Sequence, residues 1–126
     1  MLAGSRVTTM LPVVDMGRAR AFYEKKLGLR PGTQRPNGEV VYALEGTTVA
    51  LYPRGQPTRA DHTALSFEVK DLAAEVQQLT GRGVTFEEYD LPGLKTVNKV
   101  CVLGSEKAAW FKDTEGNILC LHEDLK

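Results

Sequence analysis

The chain has 126 residues, 42% of them hydrophobic and 25% charged, and its 16 basic residues balance 16 acidic ones. That length suits one compact domain and is short for two conventional ones. The even charge offers no long-range field for phosphate backbones or anionic lipid, so nucleic acid and membrane surfaces are excluded as expected partners. Apolar runs fall far short of the roughly 20 residues that cross a bilayer, and the opening MLAGSRVTTML lacks the apolar core of a secretion signal. Cys101 and Cys120 have no C-x-x-C spacing, which indicates neither a zinc knuckle nor a disulfide framework. A cytoplasmic location is the resulting expectation.

In chain order, the first element is a strand in TTMLPVV, followed by Asp15 in N-cap position and a helix in MGRARAFYEKKLGL. Ala19, Phe22, Tyr23 and Leu27 are the candidate core face of that helix. Strands are then predicted near PGTQ, in EVVYALE and in TTVALYP, the last two separated by Gly46. PRGQPTRA, with two prolines and a glycine, reads as a linker.

The second half repeats the pattern. ALSFEV reads as a strand, Asp71 as an N-cap, and Leu72, Val76 and Leu79 fall on one face of a following helix closed by glycine. Laying Asp15 over Asp71 also lays Val13 over Val69 and Met16 over Leu72. Strands are predicted in VTFEEYD, KAAWFKD and NILCLHE. Between the first two of these, LPGLKTVNK reads as a long loop before VCVLG, suited to a lid that would carry Lys95 toward a bound anion; a solvated Lys95 is the plainer reading. DTEG is a turn with Asp at its start and Gly116 where φ is positive. Each half therefore reads as β-α-β-β-β, an α+β chain built by duplication. Module one covers about residues 5–54 and module two about residues 61–124 of a single domain, 1–126.

PVVDMGRARAFYEKKLGL and WFKDTEGNILCL, at opposite ends of this pattern, resemble the vicinal oxygen chelate superfamily, which includes glyoxalase I, bleomycin-resistance proteins, fosfomycin-resistance enzymes and extradiol dioxygenases. The resemblance spans nearly the whole chain. It implies two tandem βαβββ modules forming a curved, mostly antiparallel sheet with helices outside and a cleft inside, commonly in a homodimer.

The resemblance also implies where a metal would be held. Metal-dependent members place ligands at positions that fall here on Thr8, Ala50, Ala64 and Cys120. A divalent cation needs lone pairs from carboxylate, imidazole or thiolate. Two alanines supply none and a threonine hydroxyl is a weak substitute, so no metal and no cofactor are expected. A displaced site is the alternative. His122 alternates onto the face of Cys120, and His62 onto that of Ala64, so these three could hold one ion, whereas two partly exposed surface histidines are the plainer reading. Cys120 as a nucleophile would need a base from another strand; as a buried cysteine it would act as a small hydrophobe.

The expected function is metal-independent binding of an apolar or aromatic small organic ligand in the concave cleft, by Thr8, Thr48, Tyr52, His62, Ser66, Trp110, Cys120 and His122, with no catalytic residue. Trp110 would be an aromatic wall, although core or dimer packing serves as well, and either Trp110 or Phe111 could point inward. The alternative is an enzyme (a lyase, isomerase or dioxygenase) with a displaced metal or with general acid–base groups such as His62 and Glu123. A third reading is a structural or partner-binding module whose sheet face is filled by its own side chains.

Overall fold

Alternating apolar residues in TTMLPV and TTVALYP form two neighbouring strands of the first module. In the computed structural model, which describes residues 1–125, β1 (Thr8–Val13) runs parallel to β4 (Thr47–Pro53). β4 pairs antiparallel with β3 (Val40–Leu44), and β3 with the short β2 (Thr33–Gln34), giving the sheet order β1-β4-β3-β2. Residue 126, the last of the expected domain, lies outside the described residues.

The second module repeats that order. β5 (Thr63–Glu68) runs parallel to β10 (Ile118–Asp124), which pairs antiparallel with β9 (Glu106–Lys112), which in turn pairs with β8 (Cys101–Leu103). The order β5-β10-β9-β8 matches β1-β4-β3-β2 element for element. Each is an α+β unit in which the first strand closes against the last. The chain divides into two compact units, Met1–Arg59 and Ala60 onward.

Asp15 caps the first helix, α1 (Met16–Ala21), by accepting from the Arg18 N–H at 3.0 Å. Asp71 caps α2 (Leu72–Gly81) by accepting from the Ala74 N–H at 3.1 Å. α1 continues into a wider turn over Phe22–Lys26, where the Leu27 N–H donates to the Phe22 carbonyl at 3.0 Å. The extra residue in that turn keeps Ala19, Phe22 and Tyr23 buried and leaves Leu27 only half-buried.

Leu11, Val13, Val40, Tyr42, Val49 and Leu51 form the buried side of sheet one. Tyr42, 1% exposed, still needs a partner for its hydroxyl. It donates to Glu24 Oε2 at 2.9 Å, and Arg20 Nε donates to the same oxygen at 2.8 Å. Burial alone would raise the Glu24 carboxyl, but the bonds from Arg20 and Tyr42 outweigh it and hold the group below its ordinary range. Gly32 is required here by contact: a Cβ would lie 2.5 Å from Val40 Cγ1 and 2.9 Å from Tyr42 Cε1.

In module two, Leu72, Val76 and Leu79 of α2 are buried, and α2 packs on β9 and β10. Leu119, Leu121, Ala109 and Phe111 are buried in the same core, with Phe86 edge-on to Phe111 at 5.3 Å. Each fully buried aliphatic side chain contributes about 1.5–3 kcal/mol.

One expectation is corrected in this module. VTFEEYD is not one strand. Only Phe86 bridges to Phe111, after which the chain leaves β9 and pairs briefly as β6 (Asp90–Leu91) with β7 (Leu94–Lys95). The third place in the sheet is taken by β8, inside VCVLG. The loop expected as a lid is anchored at Thr96 and Lys99. Thr96 is buried, its N–H donating to the Tyr89 carbonyl at 2.9 Å and its hydroxyl accepting from the Tyr89 N–H at 2.8 Å. Asn98 and Lys99 take positive φ, and the Lys99 N–H donates to Glu88 Oε1 at 2.6 Å. Lys95 is exposed.

Candidate functional site

The hairpin between β9 and β10 sets the register of the most chemically diverse surface. Asp113 is buried and accepts from the Glu115 N–H at 2.8 Å, the Asn117 N–H at 2.9 Å and Asn117 Nδ2 at 2.8 Å. Gly116, with φ 91°, completes the turn. The turn aligns Trp110 with Cys120 and Ala108 with His122 across the strand pair. On the other edge of β10, Cys120 lies beside Ser66 and His122 beside Glu68.

Strand alternation then gives this sheet two different faces. Leu119, Leu121 and Phe111 point to α2, and Trp110, Cys120, Ser66 and His122 share the opposite face. Of the two aromatic candidates, Trp110 is therefore on the open face and Phe111 in the core. Glu123, read from sequence as a candidate acid–base group, belongs to the helix side. Its carboxylate accepts from the Leu72 N–H at 2.8 Å and supports the positive end of α2.

A bulge at Ala64 alters the expected alternation. Ile118 pairs with Thr63 and Leu119 with Leu65, so Ala64 is the extra residue. Thr63 is thereby brought to the face of Trp110, whose indole Nε1 donates to Thr63 Oγ1 at 3.1 Å. Tyr89 completes the aromatic part, edge-on to Trp110 with ring centroids 5.6 Å apart. Burial raises its hydroxyl pKa, and the neighbouring Glu87 and Cys120 add to the shift, so Tyr89 stays a hydrogen-bond donor at neutral pH.

Ser66 links the polar residues. Its Oγ is 2.6 Å from His122 Nδ1, and the strand register sets it beside Cys120. Burial pushes the Cys120 thiol pKa up, so the sulfur is a neutral thiol at pH 7, donating to the Leu121 carbonyl at 3.3 Å. Beyond His122, Glu68 and Asp124 bring one carboxylate oxygen each to within 4.8 Å of a His122 ring nitrogen and of each other.

His62 does not join this group. It precedes β5, is exposed, and its Nδ1 lies 3.3 Å from the Thr63 carbonyl. The displaced trio His62, Cys120 and His122 is thus not assembled. Among the described residues, the group that gathers three ligand atoms is Glu68, His122 and Asp124. Glu68 and Asp124 were not read from the sequence, although alternation from Ser66 and His122 is the signal that finds them; Thr63 and Tyr89 were hidden by the bulge and by a segment read as strand.

Module one has its own open face. Thr8 pairs with Thr48, Met10 with Ala50, and Pro12 with Tyr52, with Val41 beside Ala50. Met10 is 45% exposed while Ala50 is buried beneath its neighbours. A hollow of about 710 Å³ lies at the end of this sheet, lined by Arg6, Val7, Ala43, Leu44, Thr47 and Thr48. Of the residues expected to bind ligand, Thr48 alone lines it.

The ligand positions of metal-dependent relatives do not fit a metal here. Ala50 presents a buried methyl, Ala64 sits in the bulge, and Thr8 offers a neutral hydroxyl. Cys120 is a buried thiol and supplies the one strong donor atom of the four, too few to hold a cation alone.

Residues 6–121 match the family model described as the Glyoxalase/Bleomycin resistance protein/Dioxygenase superfamily. No curated protein matches the chain. Among solved structures, a superfamily member from Sphaerobacter thermophilus DSM 20745 is 26% identical with a TM-score of 0.75, covering 98% of this chain and 100% of the other. TnmS3, an antibiotic binding protein from Streptomyces sp. CB03234, is 20% identical with a TM-score of 0.66, covering 98% of each chain. A mutant of the fosfomycin resistance protein FosX from Listeria monocytogenes, complexed with Mn(II) and 1S,2S-dihydroxypropylphosphonic acid, is 17% identical with a TM-score of 0.70, covering 97% of this chain and 90% of the other. The match along nearly the whole sequence, with the duplicated βαβββ order beneath it, places this chain in the glyoxalase/bleomycin resistance protein/dioxygenase superfamily.

Proposed function

We propose that this protein binds a small, apolar or aromatic organic molecule without a metal ion, on the open faces of its sheets. The observation that carries the reading is chemical. At the four positions where metal-dependent relatives place ligands, this chain has two methyl groups, one neutral hydroxyl and one buried thiol. In module two, Trp110 and Tyr89 supply aromatic contact, and Ser66, His122 and Cys120 supply orienting polar atoms beside it. Thr8, Thr48 and Tyr52 offer the corresponding polar points on module one. His62 contributes at the entrance to β5. The likeness to an antibiotic binding protein supports this ligand class.

The protein acts as one domain over residues 1–126, formed from modules at about 5–54 and 61–124, and as a cytoplasmic homodimer. Both cysteines are free and buried, which suits a reducing compartment, and no helix is long and apolar enough to cross a membrane.

Trp110 is the chain's single tryptophan, so its fluorescence reports on the proposed site directly. Titration with a panel of planar aromatic compounds, with and without a chelator, tests the reading. Saturable quenching that is unchanged by chelator supports it. Binding that disappears with chelator and returns with a divalent cation would replace it with an enzyme or binder using a displaced metal, for which Glu68, His122 and Asp124 are the residues to substitute.

A further inference from the structure

The ligand reading gives Ser66 and His122 only an orienting role, yet their geometry is that of a nucleophile and its base. Ser66 is exposed, its Oγ lies 2.6 Å from His122 Nδ1, and the two residues are carried on adjacent, hydrogen-bonded strands. A hydroxyl donating to Nδ1 leaves the ring proton on Nε2. Glu68 and Asp124 each bring a carboxylate oxygen to within 4.8 Å of a His122 ring nitrogen.

We propose that Ser66, with His122 as its general base, accepts an acyl group from an activated aryl ester. Ser66 Oγ attacks the carbonyl carbon and forms the new C–O bond while its proton passes to His122 Nδ1. The bond from the carbonyl carbon to the aryl oxygen breaks, its electron pair leaves on that oxygen, and His122 returns the proton to it. Water then attacks the acyl-serine, gives its proton to His122, and releases the carboxylic acid as Ser66 Oγ recovers a proton. The sum is ester plus water giving acid plus phenol.

An aryl leaving group is specified by position. Trp110, Cys120 and Ser66 lie in one row across β9, β10 and β5, so a ring against Trp110 that extends over Cys120 places an ester two strands on, near Ser66. Tyr89, beside Trp110, is a protonated donor on that side. Cys120, the competing nucleophile in the row, is buried and neutral. This inference needs only the open face of module two and stands apart from the identity of any stored ligand.

The test is pre-steady-state reaction of the full chain with 4-nitrophenyl acetate at neutral pH, followed by peptide mass spectrometry. The expected result is a burst of about one equivalent of 4-nitrophenolate and one acetyl group on Ser66. Ser66→Ala should abolish the burst, and His122→Gln should slow acylation by about 100-fold or more. No burst, a burst retained in Ser66→Ala, or acetyl found only on Cys120 or on lysines would overturn the proposal. The peptide map of the unsubstituted protein decides the matter even if a variant fails to fold.

Discussion

Substituting Asp113 with alanine should cost about 3 kcal/mol of stability, because one buried carboxylate organises the β9–β10 hairpin through three hydrogen bonds of 2.8–2.9 Å. Bonds to a charged acceptor contribute about 1.5–3 kcal/mol each, and losing the acceptor for buried donors costs about 1–3 kcal/mol per group. Glu115 and Asn117, which supply the donors, are 3% and 4% exposed, so water does not readily replace the carboxylate. The three losses do not add fully, since the residues form one network; about half their sum gives the figure of about 3 kcal/mol. With an m-value of about 2 kcal/mol/M, the urea midpoint should fall by about 1.5 M. Asp113→Asn keeps an oxygen for the two backbone N–H groups and should cost only about 1 kcal/mol. Urea unfolding followed by Trp110 fluorescence and far-UV circular dichroism measures both. A loss below about 1 kcal/mol for Asp113→Ala, or equal losses for the two variants, would refute the reasoning.

Tyr42→Phe removes one of the bonds holding the Glu24 carboxylate and should cost about 1–2 kcal/mol in the same unfolding assay. Because the Glu24 pKa is lowered on folding, its contribution is present above its unfolded value of about 4.3 and is lost as pH falls through the folded value. Stability measured from neutral pH into the acid range should therefore drop less for Glu24→Gln than for the natural chain. Gly32→Ala forces a methyl against Val40 and Tyr42 and should cost about 1–3 kcal/mol, read as a lowered Tm. Leu72→Ala, at a fully buried position on α2, should cost about 2–5 kcal/mol by urea unfolding.

Much of the architecture was legible because local and long-range signals agree. Asp15 and Asp71 announce their helices by a side chain that accepts from the third residue on, and both do so. Leu72, Val76 and Leu79 repeat at helical spacing and are buried. TTVALYP coincides with β4 because alternation and two flanking turn signals bound it. VTFEEYD failed because β-propensity marks residues suited to a sheet without saying which pairing wins. Phe86 reaches β9, but Tyr89 is drawn away by its bonds with Thr96.

The site was legible where pure alternation holds, as for His122 one step on from Cys120 along β10. It was illegible where one inserted residue breaks that rule, since the bulge at Ala64 brings Thr63 to Trp110 and no side chain there signals it. The Ser66–His122 contact depends on the register of parallel strands far apart in sequence, which composition does not encode. His62 shows the converse: its type suggested a ligand, but it lies before β5 and away from the others.

Native mass spectrometry of the protein isolated from its own host tests the central claim most directly. The account predicts subunits free of divalent metal and carrying a retained small organic compound, with the same mass after treatment with a chelator. About one divalent cation per chain, removed by chelator together with any bound compound, would contradict it.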